Sequence, residues 1–199
     1  SSTMVASSIH AEFGTSTSTR RDLQVLTEPK NGPRGEPRGR YLFLEPFFGG
    51  SHREVAEGLV SASRHRIDLM TMSARFWRWR MSGAALHFVR RLPDLSLYDG
   101  LLVSGLMSLA DLKALAPGPC PPAVVYFHET QLTYPVSEGE KPDAASAWIN
   151  VTTALCADRV LFNSRFHRES FLEALPGLVR AAGFHRSRPG EVLKSRDRP

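Results

Sequence analysis

The chain has 199 residues, 42% of them hydrophobic and 23% charged, which fits a soluble globular fold and excludes a fibrous or disorder-dominated protein. Its net charge of +5 sits in the ends: residues 1–40 hold six basic against four acidic groups and residues 183–199 five against two, leaving fourteen of each between, so the excess gives no argument for a nucleic-acid-binding face. Two cysteines and no apolar run near the roughly 18–20 residues that span a bilayer exclude a disulfide framework and a membrane helix; with no signal-peptide pattern, a cytoplasmic setting is expected.

Residues 1–39 read as a disordered leader. Ser and Thr dominate its start, Gly and Pro its end, and too few apolar side chains occur to offset the entropy of ordering. Tyr41-Leu42-Phe43-Leu44 opens the fold as a buried strand. The turn Glu45 to His52 follows, and then a helix from Arg53 to about Ser63 with Val55, Ala56, Leu59 and Val60 at helical spacing. The pair Gly49-Gly50 lets a backbone approach a ligand, and the helix start offers free N–H groups to an anion. A tight turn that needs glycine is the equal alternative. Ser51 is the expected N-cap. The Walker and dinucleotide spacings are absent.

Ile67 to Met72 reads as the second strand, and Trp77-Arg78-Trp79-Arg80 as a loop after it. Tryptophans interleaved with arginines can stack on a base while the guanidinium groups meet phosphates. The plainer reading is a loop anchored by its tryptophans. A helix over Ser82 to Arg91, a strand over Tyr98 to Ser104 and a short helix capped by Ser108 come next.

Val124-Val125-Tyr126-Phe127 is a fourth buried strand and ends on His128 and Glu129, then Thr130 and Gln131. A lone His at a strand end is usually a packed residue, but a His-Glu pair at the carboxyl end is where open α/β sheets hold ligands. A helix from Pro142 to about Ala157, a strand over Arg159 to Phe162, and a helix from the Asn163-Ser164 turn through Leu175 complete the pattern. From Gly183 the periodicity dissolves. Five strand–helix repeats predict an α/β fold, a Rossmann-like parallel sheet flanked by helices and spanning residues 40–182. Its three polar loops, at 49–52, 128–131 and 163–164, share one edge.

Four stretches, Glu45 to His52, Phe76 to Arg80, Tyr126 to Val136, and Phe162-Asn163-Ser164 with Glu169-Ser170-Phe171, resemble in order the tRNA-queuosine α-mannosyltransferases. The resemblance runs over roughly residues 41–175. It implies the N-terminal half of a two-lobed GT-B glycosyltransferase, with GDP-mannose as donor and the queuosine of an aspartate tRNA as acceptor. Carried onto this chain, it gives His128 and Glu129 catalytic or orienting roles and Gly49, Gly50 and Ser51 the donor diphosphate. His52, Trp77, Arg78, Trp79, Arg80, Gln131, Asn163 and Ser164 are the expected acceptor or tRNA contacts. No cofactor is implied beyond the nucleotide sugar. No metal is expected, since His128-Glu129 lacks the second His of a zinc-protease helix and no Asp-x-Asp occurs. The C-terminal lobe that would hold the donor nucleotide is expected to be missing or separate, with residues 183–199 an aberrant or disordered tail. The alternative function is a truncated module that holds tRNA or a nucleotide without catalysis.

Overall fold

The computed structural model describes residues 38–136 and 143–182, together with the backbone of Leu23–Gln24. The rest of the expected leader, residues 137–142 (among them Pro142, the expected start of a helix) and the tail from 183 lie outside the described residues. In chain order the elements are β1 (Leu23–Gln24), β2 (Arg40–Phe48), α1 (Gly50–Ala62), β3 (Arg66–Ser73), α2 (Trp77–Val89), a 3-10 turn (Leu95–Leu97), β4 (Gly100–Ser104), α3 (Leu109–Leu115), β5 (Ala123–Phe127), α4 (Ala144–Cys156), β6 (Arg159–Phe162) and α5 (Arg165–Ala181). The sheet order is β1-β3-β2-β4-β5-β6. Strands β2 to β6 are parallel, as the strand–helix alternation predicts, and β1 adds antiparallel to the β3 edge. No periodicity marks Leu23–Gln24 as a strand; it pairs with Leu69 and Met70.

Where helices cover both faces of a parallel strand, as at β2, its apolar residues run without interruption and alternate between two cores. In β2, Leu42 and Leu44 join the larger core with Ala84 and Phe88 of α2, Leu109 and Leu112 of α3 and Ala154 of α4. Phe43, between them, joins the smaller core with Ala56 of α1. Helix α5 packs on α4 through Phe171, Leu175 and Val151, and its Phe171 ring stacks on Phe127. Over β4 to β6 the α1 face keeps an apolar groove of about 530 Å3 lined by Phe43, Leu102, Val124, Tyr126 and Leu161.

From β2 the chain first moves to β3 on one side and later to β4 on the other. That reversal puts the topological switch point beyond the carboxyl ends of β2 and β4, the place where sheets of this kind bind ligands.

Four local expectations change. Strand β2 runs on to Phe48, with a register irregularity between Glu45 and Phe48, so the expected turn shrinks to Gly49. Gly49 is the N-cap of α1, and Ser51 lies inside the helix. Trp77 to Arg80 are the first turn of α2 rather than a loop. Nothing between Trp77 and Val89 breaks a helix strongly, and arginine is a good helix former. Helix α5 passes Pro176 and ends at Ala181. The proline removes one donor, while Leu178 and Val179 beyond it still pack on the Phe171 cluster.

A candidate active site at the carboxyl edge of the sheet

Glu45 is the polar residue that ends the apolar run of β2, and the irregularity beside it lets the backbone turn the carboxylate inward. Its Oε1 accepts from the Phe47 amide at 2.8 Å, and its Oε2 lies 3.2 Å from His52 Nδ1. The glutamate is 2% exposed and the histidine 6%. Because His52 stands in the first turn of α1, the β2–α1 junction delivers a buried carboxylate–imidazole pair. On its far side His52 meets β5. Its ring centroid is 4.7 Å from that of His128, and its Nε2 is 3.8 Å from Glu129 Oε1. Strand β4 lies between β2 and β5 in the sheet, so this contact crosses the end of β4.

Burial works against a charged His52, yet Glu129 and Glu45 outweigh it and push the ring's pKa up to about 9. The same proximity to His52 holds the Glu129 carboxyl below its ordinary range, against the opposing effect of its own burial. At 3.8 Å the His52–Glu129 contact is an ion pair and too long for a hydrogen bond. His52 Nε2 and His128 Nδ1 are both buried without a hydrogen-bond partner.

The third loop closes the site from β6. Asn163 Nδ2 donates to the His128 carbonyl at 2.7 Å, and Asn163 Oδ1 accepts from Ser164 Oγ at 3.0 Å. Ser164 caps α5 by accepting from the His167 amide. The His167 ring lies 3.1 Å from both Asn163 Oδ1 and Thr130 Oγ1. Burial pulls the His167 pKa down. The three polar loops thus meet, as a shared edge requires. Gln131 is buried, and its amide donates to Asn150 Oδ1 at 2.7 Å.

The two glycines differ. Gly49 is extended, and a Cβ there would lie 2.5 Å from Ala74 Cβ. Gly50 has φ +51 with open space in front of it. Ser51 is exposed beside it.

The tryptophan–arginine turn stands apart from these contacts. Trp79 is 77% exposed, whereas Arg78 stacks on Trp77 and lies 3.4 Å from Asp143. Arg80 donates to the Ser73 carbonyl. The preceding Phe76 is left-handed (φ 54°) and 73% exposed.

Sequence reasoning missed Glu45 and His167 as site residues and did not foresee that the His52 ring is buried against Glu45. Glu45 carried a usable signal, a charged group ending an apolar strand as His128 does. His167 had only its place three residues after a cap.

Residues 40–195 match the family described as tRNA-queuosine alpha-mannosyltransferase N-terminal. A tRNA-queuosine alpha-mannosyltransferase of Drosophila melanogaster is 38% identical to the chain over 135 residues, which is 66% of this chain. The chain matches 36% of the length of that curated relative. No solved structure matches.

Proposed function

This chain belongs to the tRNA-queuosine alpha-mannosyltransferase N-terminal family, and we propose that it forms the acceptor-side lobe of a retaining glycosyltransferase that moves mannose from GDP-mannose to the queuosine of an aspartate tRNA. The observation that carries this reading is the cluster of His52, His128 and Glu129 beside the start of α1. Transfer breaks the bond from the sugar C1 to the diphosphate and makes one from C1 to an acceptor hydroxyl, whose proton passes to the departing diphosphate. Negative charge grows on the departing diphosphate. The free amides at the start of α1 suit that charge, and Gly50 leaves the backbone open to it. The His128 carbonyl already accepts from Asn163. Its imidazole is therefore the group for a sugar hydroxyl, and Glu129 orients. The donor nucleotide falls to a second lobe.

The test uses the full two-lobed enzyme, with mannosylated queuosine measured by mass spectrometry of the digested tRNA. His128→Ala should lower kcat by about 100-fold or more, the scale set by removing one preorganised transition-state donor, with the melting temperature unchanged. Near-normal turnover with a much lower melting temperature would make His128 scaffold and defeat the reading.

The exposure of Trp79 and Phe76 beside Arg78 favours a second reading, a module that holds tRNA without catalysis. Trp79→Ala and Arg78→Ala should then weaken tRNA binding by this chain, and Arg78→Ala should also flatten its salt dependence. Affinity unchanged in both variants would return the turn to an architectural role.

A further inference from the structure

We propose that His52, His128 and Glu129 form a binding site for one divalent transition-metal ion, with zinc the best match to two imidazoles and a carboxylate. One ligand atom from each residue lies within 4.8 Å of the other two. Four-coordinate zinc, with bonds of about 2.0–2.2 Å, holds its ligands roughly 3.3–3.5 Å apart. The widest separation must therefore contract by about 1.3–1.5 Å. The contraction falls to His128 and Glu129, which are only partly buried at the end of β5.

Three features make this more than proximity. His52 is 6% exposed, and its Nε2, which lies toward Glu129, has no hydrogen-bond partner. His128 Nδ1 is also buried and unpartnered. A bound ion would replace the His52 Nε2 proton that pairs with Glu129 and would give His128 Nδ1 the partner that its burial leaves it without. Finally, Glu45 Oε2 sits 3.2 Å from the other nitrogen of His52. That is the carboxylate–histidine–metal arrangement, which keeps the proton on Nδ1 and points the Nε2 lone pair at the ion. Two histidines and one glutamate leave a fourth position open for a water or a substrate oxygen. Calcium and magnesium fit poorly, because both prefer oxygen ligands throughout. The expectation of no metal rested on sequence spacing, and spacing cannot see ligands 76 residues apart that the sheet brings together.

The site shares residues with the proposed transfer reaction, but its test needs neither tRNA nor nucleotide sugar, so failure of one leaves the other standing. The tag-free chain is stripped with chelator, desalted, and titrated with zinc by calorimetry and with cobalt by visible absorption. One ion per chain and the absorption of four-coordinate cobalt are expected. His128→Ala should weaken binding by at least about 100-fold, and Glu45→Gln by roughly 10–100-fold with stoichiometry kept, as for a residue that positions a ligand. Glu129→Gln, at a partly exposed position, covers the case in which a histidine variant fails to fold; it should weaken binding and change the cobalt spectrum. A folded wild-type chain that retains no ion and gives no cobalt band overturns the site. So does binding that survives both His128→Ala and Glu129→Gln, which would put the ion elsewhere.

Discussion

Gly49 and Gly50 are neighbours of the same type, yet the fold needs them for different reasons. Gly49 is required by its surroundings, since a Cβ would lie 2.5 Å from Ala74 Cβ. Gly50 is required by its backbone, φ +51, although space in front of it is open. Gly49→Ala should cost about 1–3 kcal/mol through overpacking, and Gly50→Ala about 1–2 kcal/mol through the left-handed conformation. For a chain of this size each kcal/mol lowers Tm by roughly 2–4 °C. Thermal unfolding separates the two causes, because Ala74→Gly should rescue Gly49→Ala and leave Gly50→Ala unrepaired. Equal rescue of both, or of neither, would show that this division is wrong.

Among the elements, α4 connects the loops that surround the site. Asn150, fully buried, donates through Nδ2 to the Gly105 carbonyl and accepts through Oδ1 from the Gln131 amide. One turn later Thr153 accepts from the Leu109 amide and donates to the Met107 carbonyl. One helix therefore satisfies buried backbone groups that follow β4 and β5. Asn150→Leu would strand two of them at about 1–3 kcal/mol each. The loss should appear in denaturant unfolding as a lower midpoint with an unchanged slope. A stability within 0.5 kcal/mol of wild type, on the order of an ordinary surface change, would mean that the loops find other partners.

For the whole molecule, the amino edge of the sheet is held by a charged cluster at the opposite end from the site. Asp68 accepts from Arg40 Nη2 at 2.6 Å and from the Tyr98 hydroxyl at 2.8 Å, with Arg66 Nε at 3.2 Å. Burial alone would raise the Asp68 carboxyl, but these donors hold it below its ordinary value. Tyr98 is pushed up to about 12 by burial and by its bond to Asp68. A depressed carboxyl stabilises above its unfolded pKa of about 3.9 and loses that contribution as pH falls toward the folded value. A raised phenol stabilises below about pH 10, its unfolded pKa, and loses that contribution as pH climbs toward 12. Tm should therefore be flat between roughly pH 5 and 9 with respect to this cluster and fall on both sides. Asp68→Asn should lower the plateau and flatten the acid limb; an acid limb as steep as wild type would assign acid unfolding to other groups.

Much of this architecture was legible because its signals are local. Apolar runs such as Tyr41 to Leu44 and Val124 to Phe127 sit between breakers and read as buried strands. Ser108 caps its helix as the sequence suggests, accepting from an amide three residues on. Parallel alternation alone puts the loops after β2, β5 and β6 on one edge. The sequence could not say that β4 would stand between β2 and β5, since strand order is decided by which crossovers pack against which face. Nor could it show that Glu45 would hold His52, that His52 would turn inward onto His128, or that Asn150 would join two loops. Backbone preference is set by neighbours along the chain. A site of buried ring nitrogens and carboxylates is set by strands that the fold places side by side, and only the tertiary structure could bring position 52 to position 128.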